Sequence, residues 1–288
     1  MILTQALRRS AHIFSLNGIE NSHLEAMVLL QHVLKLSSAQ LYTQPERALS
    51  QGEIRSLKGL VKRRLCHEPA AYIVGRKEFY GIDFYVDPRV LIPRPETELL
   101  VEAASEFARE HMNYISSPGR PLLVGDIGTG CGAVAISLAL NLPHSKVYAT
   151  DISSTALEVA RLNCEYHNVT EQIVLLHGNL LEPVPESLDV IIANLPYIES
   201  SDLANLRPEI INFEPAIALD GGQGGLRHIR QFLEQAEDKV SPHGCLLFEI
   251  GKEQDKAVIS MVNHYFKRTG CAFLSDLNGI KRVVKITF

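Results

Sequence analysis

Residues 187–198 have the sequence SLDVIIANLPYI, in which a short β-branched run leads into a polar turn. The run predicts a buried strand of a parallel sheet, and ligands bind at the carboxyl ends of such strands. Pro196 fixes its own φ and favours an extended Leu195, so the turn is stiff. The Asn194 side-chain oxygen and the Leu195 main-chain carbonyl can then accept both hydrogens of a planar NH2 group. Tyr197 can stack on that group.

An Asn, an aliphatic residue or Pro, then Pro and an aromatic residue, placed after the fourth strand of a methyltransferase sheet, resembles the signature of enzymes that methylate amide or exocyclic amino nitrogens. The same four residues also fit an ordinary strand that ends in a proline-containing turn. The neighbouring segments have to decide between these two interpretations.

The composition bounds the class of protein. The 288 residues can hold one large domain or two unequal ones, and 46% hydrophobic with 21% charged residues is typical of a globular enzyme. The net charge of −5 gives no general attraction to a phosphate backbone, which argues against a nucleic-acid partner. Five scattered cysteines without a Cys-x-x-Cys pair indicate neither disulfides nor a metal site. This cysteine usage fits a reducing cytoplasm, and without a signal core or a membrane-length apolar stretch we expect no membrane contact. We separately expect the protein to be a monomer.

Apolar residues recur with helical period in the first quarter of the chain, where Ser50 and Glu53 form a capping box. The basic run at 62–64 fits a solvated helix face or, alternatively, a partner surface. Alternating aromatic and polar residues around Gly81 then predict a β-hairpin. The predicted domains are a small helical domain at 1–74, a linking β-hairpin at 75–92 and a third domain, with the sheet, at 93–288.

Strands and helices alternate in the third domain. The predicted strands are 122–127, 146–151, 173–178, 188–193 and 245–251, and the predicted helices are 133–142, 154–167, 226–240 and 252–267. Two final segments, 271–276 and 282–288, have no helix between them and predict a terminal antiparallel hairpin. The fold class is therefore α/β, a doubly wound Rossmann-like sheet that resembles the class I methyltransferase fold.

A glycine-rich segment lies between the first predicted strand and its helix, where glycines let the backbone turn tightly against a ligand. It lacks the full Gly-x-Gly-x-x-Gly spacing of dinucleotide sites. Asp151, after the next strand, is placed to hydrogen-bond two ribose hydroxyls. Asn179 and Leu180, after the third strand, suit an adenine ring, although Asn179 also fits a plain turn. The predicted cofactor-binding residues of these segments are Asp126, Gly128, Thr129, Gly130, Cys131, Gly132, Asp151, Ile152, Asn179 and Leu180.

The residues after the fourth predicted strand discriminate between two candidate cofactors, NAD and S-adenosylmethionine. A dehydrogenase would need a hydride-site acid or base there, whereas this chain has an amide and an aromatic ring, Asn194 and Tyr197. Ligand-binding segments follow successive strands in the right order. This order favours S-adenosylmethionine as the cofactor, with S-adenosylhomocysteine as the product.

With these motifs in place, the whole chain resembles the PrmC/HemK family, the N5-glutamine methyltransferases of peptide chain release factors. The resemblance implies methyl transfer from S-adenosylmethionine to the glutamine of the Gly-Gly-Gln motif in class 1 release factors, which modulates translation termination. It implies that the helical domain docks the release factor and that Asn194 also contacts the cofactor. It implies a catalytic set that binds the target glutamine, namely Asn194, Leu195, Pro196 and Tyr197. The segments that carry the resemblance are 92–98, 126–132, 194–197, 213–215, 219–222, 249–251 with Gln254, and 276–284.

The chain departs from the family pattern at three positions. Leu195 stands where the family usually has Pro, but the implied contact comes from a main-chain carbonyl, which Leu also has. Asn179 replaces a common Asp, and Gly224 stands where Asp is frequent. These differences concern the details of binding and not the reaction class.

An amide nitrogen is a poor nucleophile because its lone pair is delocalised. We expect in-line attack on the sulfonium methyl while the Asn194 oxygen and the Leu195 carbonyl draw on the two N–H bonds. A base is not needed before attack, since methylation makes the nitrogen acidic enough to lose its proton afterwards. Two alternatives stay open. One is a methyltransferase for a ribosomal-protein glutamine or a nucleic-acid amino group, and the other is a non-catalytic S-adenosylmethionine-binding assembly factor.

Overall fold

The computed structural model describes residues 1–115, 120–267 and 269–288. The chain divides into two compact units. The first comprises Met1–Arg76 and Arg207–Phe213, and the second comprises Lys77–Leu206 and Glu214–Phe288. In the described part of the chain, no helix has both the length and the apolarity to cross a membrane.

The helices occur in both units and are numbered in chain order. They are α1 (Leu3–Leu16), α2 (Ser22–Leu34), α3 (Ser38–Thr43), α4 (Gln51–Leu65), α5 (Ala70–Val74), α6 (Glu98–Ile115), α7 (Ala133–Asn141), α8 (Ser154–Tyr166), α9 (Pro208–Ile211), α10 (Arg227–Ala236) and α11 (Asp255–Tyr265). Short 3-10 turns lie at Pro95–Thr97, Ser200–Asn205, Ala216–Ala218 and Gln223–Gly225.

The strands form two sheets. They are β1 (Lys77–Phe79), β2 (Ile82–Phe84), β3 (Leu122–Ile127), β4 (Ser145–Asp151), β5 (Ile173–His177), β6 (Leu188–Ala193), β7 (Val240–Glu249), β8 (Gly270–Ser275) and β9 (Lys281–Thr287). The first two form an antiparallel pair, and the others form a seven-stranded sheet in the order β5-β4-β3-β6-β7-β9-β8. β3 to β7 pair in parallel, and β9 pairs antiparallel with both β7 and β8. The predicted fold class and terminal hairpin are confirmed.

The first unit is a helical bundle with its own core. One face of α1 buries Leu3, Leu7 and Phe14 in a core to which α2 also contributes, as the helical spacing of apolar residues predicts. A fully buried Phe side chain contributes roughly 1.5–3 kcal/mol to this core. The predicted capping box is confirmed at the start of α4, where Ser50 N donates to Glu53 Oε2 at 2.7 Å and Glu53 N donates to Ser50 Oγ at 3.2 Å.

The basic run at the end of α4 is only partly a solvated face. Arg64 is 4% exposed, and its guanidinium forms ion pairs with Glu25 at 2.7 Å and Glu209 at 3.7 Å. The other two members of the run, Lys62 and Arg63, are exposed. The prediction was wrong for Arg64 because its acidic partners come from distant segments of the chain, which periodicity cannot show.

In the second unit, the parallel strands bring their carboxyl ends to one edge. Ile127 pairs with both Thr150 and Ala193, so β3, β4 and β6 end side by side. Both β3 and β6 are buried along their whole length, as expected for strands covered on both faces. The residues that follow these strands therefore meet at one edge of the sheet.

The predicted boundaries around β7 are wrong, by two or three residues at its end and by more at its start. The strand begins at Val240 rather than at 245, and the preceding helix ends at Ala236 rather than at 240. Val240 pairs with Leu188 across a register shift, which takes these residues into the sheet. His243 has a φ of +66° in the irregular stretch that follows. A bulge of this kind depends on the partner strand and leaves little trace in the sequence.

Candidate active site

A cavity of about 460 Å³ opens at the carboxyl edge of the parallel strands, within the volume range of small-molecule sites. The predicted site residues that line it are Gly128, Gly130, Asp151, Ile152, Asn179, Leu180, Asn194, Leu195 and Pro196. The predicted site residues that do not line it are Asp126, Thr129, Cys131, Gly132 and Tyr197. The structure therefore brings the ends of four parallel strands together around one cavity.

The loop after β3 is shaped by main-chain hydrogen bonds. The N–H groups of Gly128 and Thr129 both donate to Thr150 O at 2.9 Å. Gly130 and Gly132 have φ values of +57° and +84°, in the left-handed region that favours glycine. A Cβ at Gly130 would have no heavy atom within 4 Å apart from those of its chain neighbours, so the backbone there is open to a ligand.

Asp126 and Thr129 brace this loop from behind the cavity. Thr129 Oγ1 donates to Asp126 Oδ2 at 2.6 Å, and Ala135 N at the start of α7 donates to the same oxygen at 3.1 Å. Burial raises the pKa of the Asp126 carboxyl to about 6, although both hydrogen bonds oppose that rise. These contacts give Asp126 and Thr129 a supporting position behind the loop.

Cys131 and Gly132 also lie behind the cavity. Burial raises the pKa of the Cys131 thiol to about 12, so the group is not a nucleophile at neutral pH. The Cys131 carbonyl accepts a hydrogen bond from Asn163 Nδ2 at 2.8 Å. The φ of +84° at Gly132 favours glycine, and a Cβ there would also lie 3.2 Å from Ile136 Cδ1 on α7.

Asp151 follows β4, and its carboxylate is held by backbone on both sides. Oδ2 accepts from Gly130 N at 2.8 Å, and Oδ1 accepts from Ser153 N at 2.8 Å. Burial raises the pKa of the Asp151 carboxyl, while these backbone bonds act in the opposite direction. Each oxygen keeps a further acceptor position. The carboxylate can therefore accept from two neighbouring hydroxyls of a ligand.

Apolar side chains form another part of the cavity wall. Ile152 is 54% exposed and Ile217 is 57% exposed, and both line the cavity together with Leu180. Such surfaces suit the faces of a planar ring. Asn179 Nδ2 donates to Glu182 Oε1 at 2.8 Å, so the amide group is partly committed to its own turn.

The turn after β6 is held by side chains from distant parts of the chain. Asn194 Nδ2 donates to Thr97 Oγ1 at 2.8 Å, and Thr97 Oγ1 donates to Glu249 Oε2 at 2.7 Å. Tyr197 OH donates to the other carboxylate oxygen of Glu249 at 3.1 Å. Burial and the neighbouring Glu249 charge raise the pKa of the Tyr197 hydroxyl, so the group acts as a donor. The Asn194 side-chain oxygen is the end of the amide left for a ligand.

Sequence reasoning assigned no role to Thr97 or Glu249. Both lie in segments that carry the family resemblance, at 92–98 and 249–251, which was the available signal. Gln254, in the latter group, donates from Nε2 to Tyr197 O at 3.1 Å and accepts from Gly251 N at 2.7 Å. The backbone of the turn is therefore fixed as well as its side chains.

Another wall of the cavity was also missed. It contains Arg89 and Val90 before α6 and residues 215–218 after the α9 segment. Near it, Arg94 forms a 2.5 Å ion pair with the buried Glu214, whose other oxygen accepts from Ile92 N at 3.4 Å. This pair joins two segments far apart in sequence beside the cavity.

Comparison with known proteins identifies the family. Residues 5–75 match the family model of the PrmC N-terminal domain, and residues 101–223 match that of the methyltransferase small domain. The chain is 40% identical to the release factor glutamine methyltransferase of Geobacter sulfurreducens over 93% of this chain and 90% of that protein. The chain belongs to the release factor glutamine methyltransferase family. The family member from Moorella thermoacetica is 39% identical over 90% of this chain and 88% of that protein.

Two further likenesses extend the comparison. A bifunctional methyltransferase of Rickettsia bellii is 35% identical over 94% of this chain, although this chain spans only 52% of that protein. The solved catalytic domain of human Mettl16 superposes with a TM-score of 0.57 and 15% identity, covering 73% of this chain and 76% of that one. At this identity the structural likeness shows the fold alone, and it agrees with the seven-stranded sheet.

Membership of the release factor glutamine methyltransferase family confirms the predicted family and its cofactor, S-adenosylmethionine. The residues present fit this cofactor: the loop is open at Gly130, Asp151 has acceptor positions for ribose hydroxyls, and Ile152 offers an apolar face. When bound, the cofactor supplies an electrophilic methyl group on a sulfonium centre. Asn194 and Leu195, in the turn after β6, line the same cavity, so a cofactor bound there would lie beside that turn.

Proposed function

We propose that this chain transfers a methyl group from S-adenosylmethionine to the side-chain amide nitrogen (N5) of the glutamine in the Gly-Gly-Gln motif of class 1 release factors. Relatives with that name are 36–40% identical over at least 90% of the chain, which supports the substrate. The observation that carries the proposal is the orientation of the Asn194 side-chain amide. Its nitrogen is bound to Thr97, so its oxygen is left to accept a hydrogen from a target amide.

The turn after β6 accounts for amide chemistry in three ways. The Asn194 oxygen and the Leu195 carbonyl together accept both N–H groups of the target, which orients its nitrogen. The partial negative charges of these two oxygens stabilise the positive charge that develops on the nitrogen during attack. Pro196 keeps the two acceptors in a fixed relation. Tyr197 anchors the turn through Glu249, and stacking of its ring on the target stays a prediction.

The two units have separate roles in this proposal. The helical unit, which matches the PrmC N-terminal family model over residues 5–75, docks the release factor. The second unit binds the cofactor and the target glutamine. We also propose that the enzyme acts as a monomer in the cytoplasm.

The test is transfer of labelled methyl from S-adenosylmethionine to a purified class 1 release factor. The wild-type factor is compared with a factor whose Gly-Gly-Gln glutamine is replaced by alanine. We expect label on the wild-type factor alone, and Asn194→Ala enzyme prepared in parallel serves as the control for contaminating methyltransferases.

Two outcomes would contradict the proposal. Equal label on both factors would move the modification to another residue. Absence of label on either factor, with cofactor binding confirmed by calorimetry, would indicate a different substrate, and ribosomal proteins and nucleic acid would then be assayed in the same way.

A further inference from the structure

Four side chains of the second unit form a continuous hydrogen-bonded chain that ends in the cavity. It runs from Tyr197 through Glu249 and Thr97 to Asn194. Glu249 is 2% exposed and Thr97 is 5% exposed, so the two inner members are removed from water. A buried carboxylate is costly unless it is hydrogen-bonded, and here each oxygen has a side-chain donor.

Each hydrogen bond in this series of four side chains has a defined donor and a defined acceptor. When Glu249 is ionised, its carboxylate can only accept hydrogen bonds, so the single hydroxyl proton of Thr97 is directed to it. The remaining positions on Thr97 Oγ1 are acceptors and can receive only a donor from Asn194. The amide nitrogen of Asn194 must then face Thr97, and its oxygen must face the cavity. The charge on Glu249 thus sets which end of a near-symmetrical amide meets the ligand.

We propose that Glu249, acting through Thr97, is a positioning residue that holds Asn194 with its side-chain oxygen toward the target NH2 group. This inference rests on the proposed transfer to an amide nitrogen. If Asn194 were reversed, its NH2 group would meet the NH2 group of the target, and the two donors would exclude each other. The hydrogen bonds from Glu249 through Thr97 to Asn194 therefore contribute to selecting a primary amide nitrogen as the methyl acceptor.

Protonation of Glu249 on Oε2, the oxygen that faces Thr97, would remove this order, because that oxygen would become a donor. The charged and titratable groups that act on Glu249 are Tyr197 after β6, Arg282 on β9 and Glu96 before α6. Burial raises the pKa of the Glu249 carboxyl, Glu96 acts in the same direction, and Thr97, Tyr197 and Arg282 oppose it. The ordering is therefore present above the raised pKa, and the rate falls as pH decreases through it.

The experiment uses the full-length enzyme with a wild-type class 1 release factor. Glu249→Gln replaces the acceptor-only group by an amide that can donate to Thr97, and Thr97→Val removes the hydroxyl with little change in shape. Thr97→Ser keeps the hydroxyl, and Glu171→Gln, at an exposed position, is the matched control. For each variant we measure kcat, the KM for the release factor, and the pH profile of kcat. The affinity for S-adenosylhomocysteine and the thermal midpoint are also measured.

We expect Glu249→Gln and Thr97→Val to lower kcat about 10- to 100-fold, the range found when the partner that orients a metal-ligating side chain is lost. KM and S-adenosylhomocysteine affinity should change little, and the thermal midpoint of Glu249→Gln should not fall, since a buried charge has been removed. Thr97→Ser should recover most of the kcat lost in Thr97→Val. The acidic limb of the kcat profile should be absent in Glu249→Gln.

Several outcomes would overturn the inference. They are an unchanged kcat in Glu249→Gln, an unchanged acidic limb in that variant, or a Thr97→Ser enzyme as slow as Thr97→Val. A loss of kcat accompanied by an equal loss of cofactor affinity and a lower thermal midpoint would indicate a merely structural role. Failure of the wild-type enzyme to label the factor would instead count against the proposed function.

Discussion

The loop after β3 and the turn after β6 occupy equivalent places in the sheet, yet they are held in different ways. In the loop, the bracing contacts are short in sequence: Thr129 reaches Asp126 three residues away, and Gly130 reaches Asp151 across 21 residues. In the turn, Asn194 depends on Thr97, which is 97 residues away, and Thr97 depends on Glu249, which is 152 residues away.

This difference shows that the placement of backbone groups in the loop and the orientation of a side chain in the turn have different origins. The loop binds through backbone groups, whose placement follows from glycine and from the neighbouring strand. The turn works through one amide side chain, whose two ends differ only in hydrogen-bonding character. Local sequence can specify the former, whereas the latter needs partners from elsewhere in the fold. Variants in the two regions should therefore fail differently.

The largest effect is expected for Asn194→Ala. It removes an acceptor that acts on the reacting nitrogen, and we expect kcat to fall about 100- to 1,000-fold. The affinity for S-adenosylhomocysteine should fall far less. Methyl-transfer kinetics with calorimetry of ligand binding will check both values. The matched control is Asn205→Ala at an exposed position, and a kcat for Asn194→Ala near that of the control would break the comparison.

Asp151→Ala should produce the opposite pattern, with loss of affinity rather than of the chemical step. The variant removes a charged acceptor for the ligand and leaves Gly130 N and Ser153 N without their partner. We expect binding of S-adenosylhomocysteine to weaken by about 1.5–3 kcal/mol. Calorimetric titration measures this, and Asp151→Asn, which keeps one acceptor oxygen, should lose less. An unaltered dissociation constant would contradict the role of Asp151.

Two glycines of the loop after β3 provide a sharper test within that region. Gly132→Ala places a Cβ 3.2 Å from Ile136 Cδ1 and 3.4 Å from Ala160 Cβ, at a φ of +84°. We expect a stability loss of about 1–2 kcal/mol, seen as a lower thermal midpoint. Gly130→Ala has a similar backbone cost but no comparable crowding, so its main effect should be on cofactor affinity. The reverse order of effects would refute this assignment of the two glycines.

The smallest effect is expected for Asn179→Ala. Its amide nitrogen is already bound to Glu182, so the cofactor can gain little from it. We expect S-adenosylhomocysteine affinity to change by less than about 1 kcal/mol. If calorimetry instead shows a loss as large as that of Asp151→Ala, Asn179 makes a direct contact with the adenine ring that this geometry undervalues.

Much of the fold could be predicted from local pattern. β3 and β6 have the bounds expected from their apolar runs, because a strand buried on both faces is a continuous apolar segment. The start of β7 could not be found in this way, since Val240 enters the sheet only by pairing with Leu188. The burial of Arg64 was missed for a similar reason, because its partners Glu25 and Glu209 are remote in sequence.

The sequence by itself determined which residues stand at the carboxyl ends of the strands: the glycine loop, Asp151, Asn179 and the turn at 194–197. These positions follow from the alternation of strands and helices, which is a local property of the chain. Only the tertiary structure decided which of them face the cavity and how Asn194 is oriented. A side-chain amide takes its direction from its hydrogen-bond partners, and Thr97 and Glu249 become its partners only once the sheet has formed.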